Sequence, residues 1–149
     1  MAEAVQQEAQ RTADLVRERM FANDRASQAL GMQITEMGPG SATLTMTVRA
    51  DMLNGFDICH GGHITALADS AFAFACNSHN EMTVASGLTI DFLAPAREGD
   101  RLTAQCTEAS LSGRTGVYDV SVSNQRGERI AIFRGRSYRI KGKPVVAQA

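Results

Sequence analysis

The sequence lacks an excess of charge of either sign. Fifteen Lys and Arg stand against sixteen Asp and Glu, a formal net charge of −1. With no basic run, there is no electrostatic case for a nucleic-acid partner or an anionic membrane surface. No apolar run approaches the ~20 residues that cross a bilayer. The opening segment, MAEAVQQEAQRTADLVRERM, lacks the basic stretch and apolar block of a secretory leader. Cys59, Cys76 and Cys106 are three in number and show no paired spacing. That excludes a disulfide framework and fits a reducing cytosol, so the expected location is cytoplasmic. Internal repeats and low-complexity segments are missing, as are a Gly-x-Ser-x-Gly elbow, a phosphate loop and a dinucleotide fingerprint. At 149 residues and 44% hydrophobic content, one domain spanning 1–149 with a true core is expected.

What is present is a clear alternation of patterns. Residues 3–22, rich in Ala, Gln, Glu and Arg, read as a helical extension with Leu15, Val16 and Met20 as its apolar spots. Asn23 or Asp24 caps a second short helix that Gly31 closes. MQITEM reads as a strand and GPG, at 38–40, as a turn. In SATLTMTVRA, Ala42, Leu44, Met46 and Val48 alternate with threonines, the mark of a half-buried antiparallel strand. Four more strands are expected after residue 80: MTVASGLTIDFLAP, GDRLTAQCTEAS, TGVYDVSVSN and RIAIFRGRSYRI. Short turns at SGR and QRGE join the later ones, which makes the sheet mainly antiparallel. Residues 141–149 read as a loose tail. Between the two groups of strands lies a long apolar helix. The economical arrangement is an α+β fold in which a curved antiparallel sheet wraps that one central helix.

The segment NGFDICHGGHITALADSAFAFACNSH holds the chemistry. Gly61 and Gly62 fall where loop becomes helix. Amides there have no partner within the helix, and they carry the positive end of its dipole. Such amides suit an anion or a developing oxyanion; the same glycines also serve a tight turn. Asp69 is a lone carboxylate among Ile64, Leu67, Ala68, Ala71, Phe72 and Ala75. A fold-only partner and a catalytic role both account for it, since an unpaired carboxylate in apolar surroundings is costly. Asp69 follows Gly61 by eight residues, ~12 Å along the axis. A base and an oxyanion donor must both lie ~3 Å from one reacting group. Two copies of the helix running antiparallel across a two-fold axis achieve this, which implies an oligomer with two equivalent sites per dimer. His60 and His63 lack a third and fourth ligand at zinc spacing, and no metal is expected. Cys59 beside His60 fits a buried thiol better than a nucleophile.

Asn54-Gly55, His60-Gly61-Gly62 and Leu67-Ala68-Asp69, in this order and spacing, resemble the signature of hotdog-fold acyl-CoA thioesterases. The segments MLNGFDICHGGHITALADSAFAFACNS, TIDFLAPAREGDRLTA, RTGVYDVSVSNQ and FRGRSYRI look like the thioesterases of bacterial phenylacetic acid degradation. The resemblance covers most of the chain. It implies a hotdog fold, dimers with one continuous sheet, and dimers pairing into tetramers. It implies hydrolysis of phenylacetyl-CoA or a ring-hydroxylated relative, without a cofactor. Asp69 matches the catalytic acidic residue, as general base or nucleophile, and the Gly61 amide matches the oxyanion donor. Asn54 and His60 match residues that position water or the thioester carbonyl, and Ser86 matches an assisting polar residue. The turn holding Ser112, Gly113, Arg114, Thr115 and Gly116 matches the grip on CoA, beside Gly62 at the helix start. Arg114, with Arg134 or Arg136, suits the CoA phosphates.

Overall fold

A computed structural model describes residues 1–147, so Gln148 and Ala149 of the expected tail lie outside the described residues. Two helices, α1 (Ala2–Asn23) and α2 (Arg25–Ala29), precede strands β1 (Gln33–Gly38) and β2 (Ser41–Thr47). The central helix α3 (Gly61–Asn77) follows, then β3 (Thr83–Phe92), β4 (Arg101–Ser112), β5 (Thr115–Ser123) and β6 (Arg129–Arg139). These six strands form one antiparallel sheet in the order β1-β2-β4-β5-β6-β3. The sheet wraps α3 as expected. The alternation in β2 points Ala42, Leu44 and Met46 inward, and that in β5 points Tyr118, Val120 and Val122 inward, all buried. From the helix come Ile64, Leu67, Phe72 and Phe74, also buried. Burying four such side chains contributes on the order of 6–12 kcal/mol. Phe72 reaches the sheet because Gly135 has no side chain. A Cβ there would stand 2.8 Å from the Phe72 ring.

The local signals before α3 hold. Asp24 caps α2, accepting from Ser27 N at 3.0 Å, and Gly31 ends the turn at φ +72°. The N-terminal extension has a definite place: Ala13 and Val16 are fully buried. From the same helix, Gln10 Nε2 donates to the Met37 carbonyl at 2.8 Å and Arg17 donates to the Ile34 carbonyl. These two donors are seven residues apart, two helical turns on one face. They satisfy carbonyls of β1, an edge strand that would otherwise offer free pairing groups. The other edge, β3, has no such cover among the described residues, and Val84, Leu88 and Phe92 are exposed there.

The tail departs from expectation. It is not loose through Val146, which is buried. The Asn80 side chain holds the Val146 backbone with two bonds, Nδ2 to the carbonyl at 2.9 Å and the amide to Oδ1 at 2.8 Å. A short 3-10 segment, Ala50–Met52, was not foreseen.

Past the end of α3, Glu108 Oε1 meets both His79 Nε2 and the Tyr118 hydroxyl at 2.8 Å. Burial pushes the Glu108 carboxyl up, but the bonds from His79 and Tyr118 and the nearby Arg139 charge outweigh it. The carboxyl is held below its ordinary range. A carboxyl depressed in the folded state adds stability above its unfolded pKa of ~4.3, and loses it as pH falls through the folded value. Glu108→Gln is therefore expected to lower stability at pH 7 by about 1–2 kcal/mol. The gap to the wild type should shrink by about pH 3. Thermal unfolding at the two pH values measures both, and a gap that stays constant would assign the effect to shape rather than charge.

Candidate active site

The loop before α3 is built around Asn54. Its Oδ1 accepts from Phe56 N at 2.9 Å and from Ile58 N at 3.4 Å, and its backbone amide donates to the Ile58 carbonyl at 2.8 Å. Asn and Asp favour such turns because the side-chain oxygen substitutes for a backbone carbonyl. The loop's exit is fixed by Cys59 N to the Ala96 carbonyl and His60 N to the Met52 carbonyl, both 2.7 Å. With Oδ1 committed to the turn, the Asn54 Nδ2 donors remain unpaired among the described residues. Burial pushes the Cys59 thiol up to about 11, so it is a packing residue and not a thiolate nucleophile.

His60 is the N-cap of α3. Its backbone is extended, at φ −60° and ψ 132°, and Nδ1 accepts from Gly62 N at 3.0 Å. That bond puts the ring proton on Nε2. Of the two glycine amides, Gly62 is thus engaged. The Gly61 N–H has no hydrogen-bond partner among the described residues. It is left at the positive end of the helix, free for an external oxygen. Gly61 and Asn54 line a cleft of about 620 Å³ whose other walls include Ile58, Ile64, Phe92, Leu93 and Pro95.

Asp69 does not line that cleft. It lies on the same helix two turns further along, ~12 Å from Gly61, half-buried. Burial raises its pKa, and neither a hydrogen bond nor a cation opposes the shift. Its carboxylate is consequently a better base than a solvated one. Within one chain the structure brings Asn54, His60, Gly61 and Gly62 together and keeps Asp69 apart.

The remaining expected residues lie elsewhere. Ser86 is exposed on β3, and its hydroxyl donates to the Arg136 carbonyl at 3.1 Å. Ser112 ends β4, Gly113 at φ +60° and Arg114 make the β4–β5 turn, and Thr115 and Gly116 begin β5. Arg114 Nη1 donates to the Tyr138 hydroxyl at 3.2 Å. Arg134 has a partner within the chain. It is bound to Asp119 through two bonds of 2.7 and 2.9 Å, which commit the Nε/Nη2 edge of its guanidinium. Arg136 is exposed, lies over Gly87, and has no ion pair among the described residues. The sequence reading overlooked Phe92, Leu93 and Ile58. Nothing local in the sequence marks Phe92, whose ring would stand 2.9 Å from a Cβ on Gly61.

A curved antiparallel sheet around one buried helix defines the hotdog fold. Residues 56–131 match the Thioesterase superfamily. Over 123 residues the chain is 50% identical to the acyl-coenzyme A thioesterase PaaI of Escherichia coli K12, covering 83% of this chain and 88% of that protein. The E. coli PaaI structure, from the phenylacetic acid degradation operon, superposes with a TM-score of 0.88 at 47% identity, covering 90% of this chain and 97% of that one. A mutant of the phenylacetic acid degradation protein PaaI from Thermus thermophilus gives 0.76 at 38% identity, covering 78% and 100%. The chain belongs to the thioesterase superfamily and is a hydrolase acting on thioesters.

His60 combines capping with a place beside the cleft, and substitution separates the two roles. His60→Ala is expected to destabilise the fold by about 1 kcal/mol, the cost of a lost cap, and to slow turnover. His60→Asn restores the cap but not the imidazole. Recovery of both stability and turnover in His60→Asn would make His60 a cap only; recovery of stability alone is the expected result, read by thermal melts beside kcat.

Proposed function

We propose that this protein hydrolyses phenylacetyl-CoA, or a ring-hydroxylated relative, to the free acid and CoA at sites shared between two copies of the chain. The observation that carries this reading is the pair of uncommitted groups on one rigid helix, the Gly61 amide and Asp69, ~12 Å apart. Antiparallel pairing of two α3 helices across a two-fold axis brings Asp69 of one chain to Gly61 of the other. The uncovered β3 edge, with its exposed Val84 and Leu88, supports pairing there, and two such dimers make the tetramer. Free, buried cysteines fit a cytoplasmic setting.

In the reaction, the thioester oxygen accepts from the Gly61 N–H, with the Asn54 Nδ2 donors beside it. Asp69 takes a proton from water as the water oxygen adds to the carbonyl carbon. Negative charge then develops on the oxygen held at the helix start. Collapse expels the CoA thiolate, which recovers the proton. In the alternative, the carboxylate itself adds and a mixed anhydride is hydrolysed. Arg114, and Arg136 nearer the sheet, reach for the CoA phosphates.

Asp69→Asn is expected to cut kcat by at least ~10²-fold. Because it removes a half-buried unpaired charge, its melting temperature at pH 7 should equal or exceed that of the wild type. Gly61→Pro removes the other group. Gly61 is the first helical residue and follows an extended residue, so its backbone accepts proline, with the Phe92 ring moving off the added Cβ. After subunit exchange between these two inactive variants, about half the dimers are mixed, and each has one intact site of two. Roughly a quarter of wild-type activity should return. Complete exchange by mass spectrometry with no recovered activity would disprove the shared site.

Arg114→Ala should raise KM for CoA esters and leave small thioesters without a nucleotide unaffected. Arg134→Ala should have the smaller effect on KM, because Asp119 already occupies one edge of its guanidinium. An equal loss on both substrate types would remove Arg114 from the CoA contact.

A further inference from the structure

The ring of Phe92 lies directly over the first residue of α3. A Cβ on Gly61 would stand 2.9 Å from Phe92 Cζ and 3.3 and 3.4 Å from Cε2 and Cε1. Gly61 is not among the glycines with positive φ, so backbone conformation does not demand a glycine there. The ring does. The backbone beneath the ring is fixed, with Phe92 paired to Ala131 and Leu93 N donating to the Ile130 carbonyl at 2.8 Å. The side chain itself is 51% exposed, so one face of the ring packs on the helix start and the other is open. It lines the same cleft as the free Gly61 amide, where the Asn54 amide group is the one strong hydrogen-bonding side chain among the described residues.

We propose that Phe92 sets the acyl-group preference of the enzyme. This rests on the reading that the Gly61 amide holds the thioester oxygen. The group bonded to that carbonyl must then lie within a few ångströms of the Phe92 ring and of Ile58, Leu93 and Pro95. Such walls favour an apolar acyl group, and an aromatic one most, because ring pairs gain beyond their buried area. A charged acyl group finds no partner among them.

The test is a kcat/KM panel of phenylacetyl-, benzoyl-, octanoyl- and acetyl-CoA, read by thiol release, for the wild type, Phe92→Leu, Gly61→Ala and the double variant. Phe92→Leu should lower the phenylacetyl-to-acetyl ratio by about 10-fold or more, the scale of a lost apolar pocket contact. Gly61→Ala retains its N–H but pushes the ring into the cleft. It should penalise phenylacetyl-CoA strongly in the wild-type background and weakly once Phe92 is Leu. An equal loss on all four esters would make Phe92 structural and overturn the proposal. A wild type that favours octanoyl-CoA would refute phenylacetyl-CoA as substrate. The Phe92 proposal would still be decided, by whether the ratios among the cleaved esters move.

Discussion

The rigidity of α3 governs the rest of the structure. The helix is locked on several sides: Ile64, Leu67, Phe72 and Phe74 are buried, and Phe72 packs close against Gly135 of β6. A helix held in this way cannot bend to fold its own length back on itself. Gly61 at its start and Asp69 two turns on therefore keep a fixed ~12 Å separation. One chain holds the free amide at one end of the helix and the unpaired carboxylate in its middle.

Other carboxylates packed against the fold find partners, which sets Asp69 apart. Asp100 accepts from Arg97 N, Gln125 and Arg126, and its carboxyl is held below the ordinary range. Asp119 is bound by Arg134, Glu108 by His79 and Tyr118, and Asp24 caps α2. Against that background an unpaired, half-buried Asp69 is the exception. Buried polar groups without partners cost stability. The Gly61 N–H and the Asn54 Nδ2 donors are left open in the same way, and both residues line one cleft.

The two edges of the sheet are treated differently. Helix α1 covers β1 with Gln10 and Arg17, while β3 stays bare among the described residues. Backbone pairing groups on an uncovered edge invite another strand. The N-terminal extension thus covers one edge and leaves the other open among the described residues, on the side where the helix start and Phe92 lie.

Periodicity was legible in the sequence. The threonine alternation of β2, the inward Tyr118, Val120 and Val122 of β5, and the apolar run of α3 each record which side of an element is buried. The cap at Asp24, the glycine-rich helix start and the misplaced carboxylate were equally local, and so was the axial distance that separates Gly61 from Asp69. What only the tertiary structure decided lies between residues distant in the chain. Phe92 sits over Gly61, Arg134 is bound to Asp119, and Val146 is held by Asn80. None of these has a local signature. Each depends on strand register and on where β3 falls in the sheet, beyond β6 and far from its sequence neighbour β2. A helix or strand fixes the side on which a residue points, because its repeat is intrinsic to the backbone. Which residue it meets there is fixed only when the whole sheet closes around the helix.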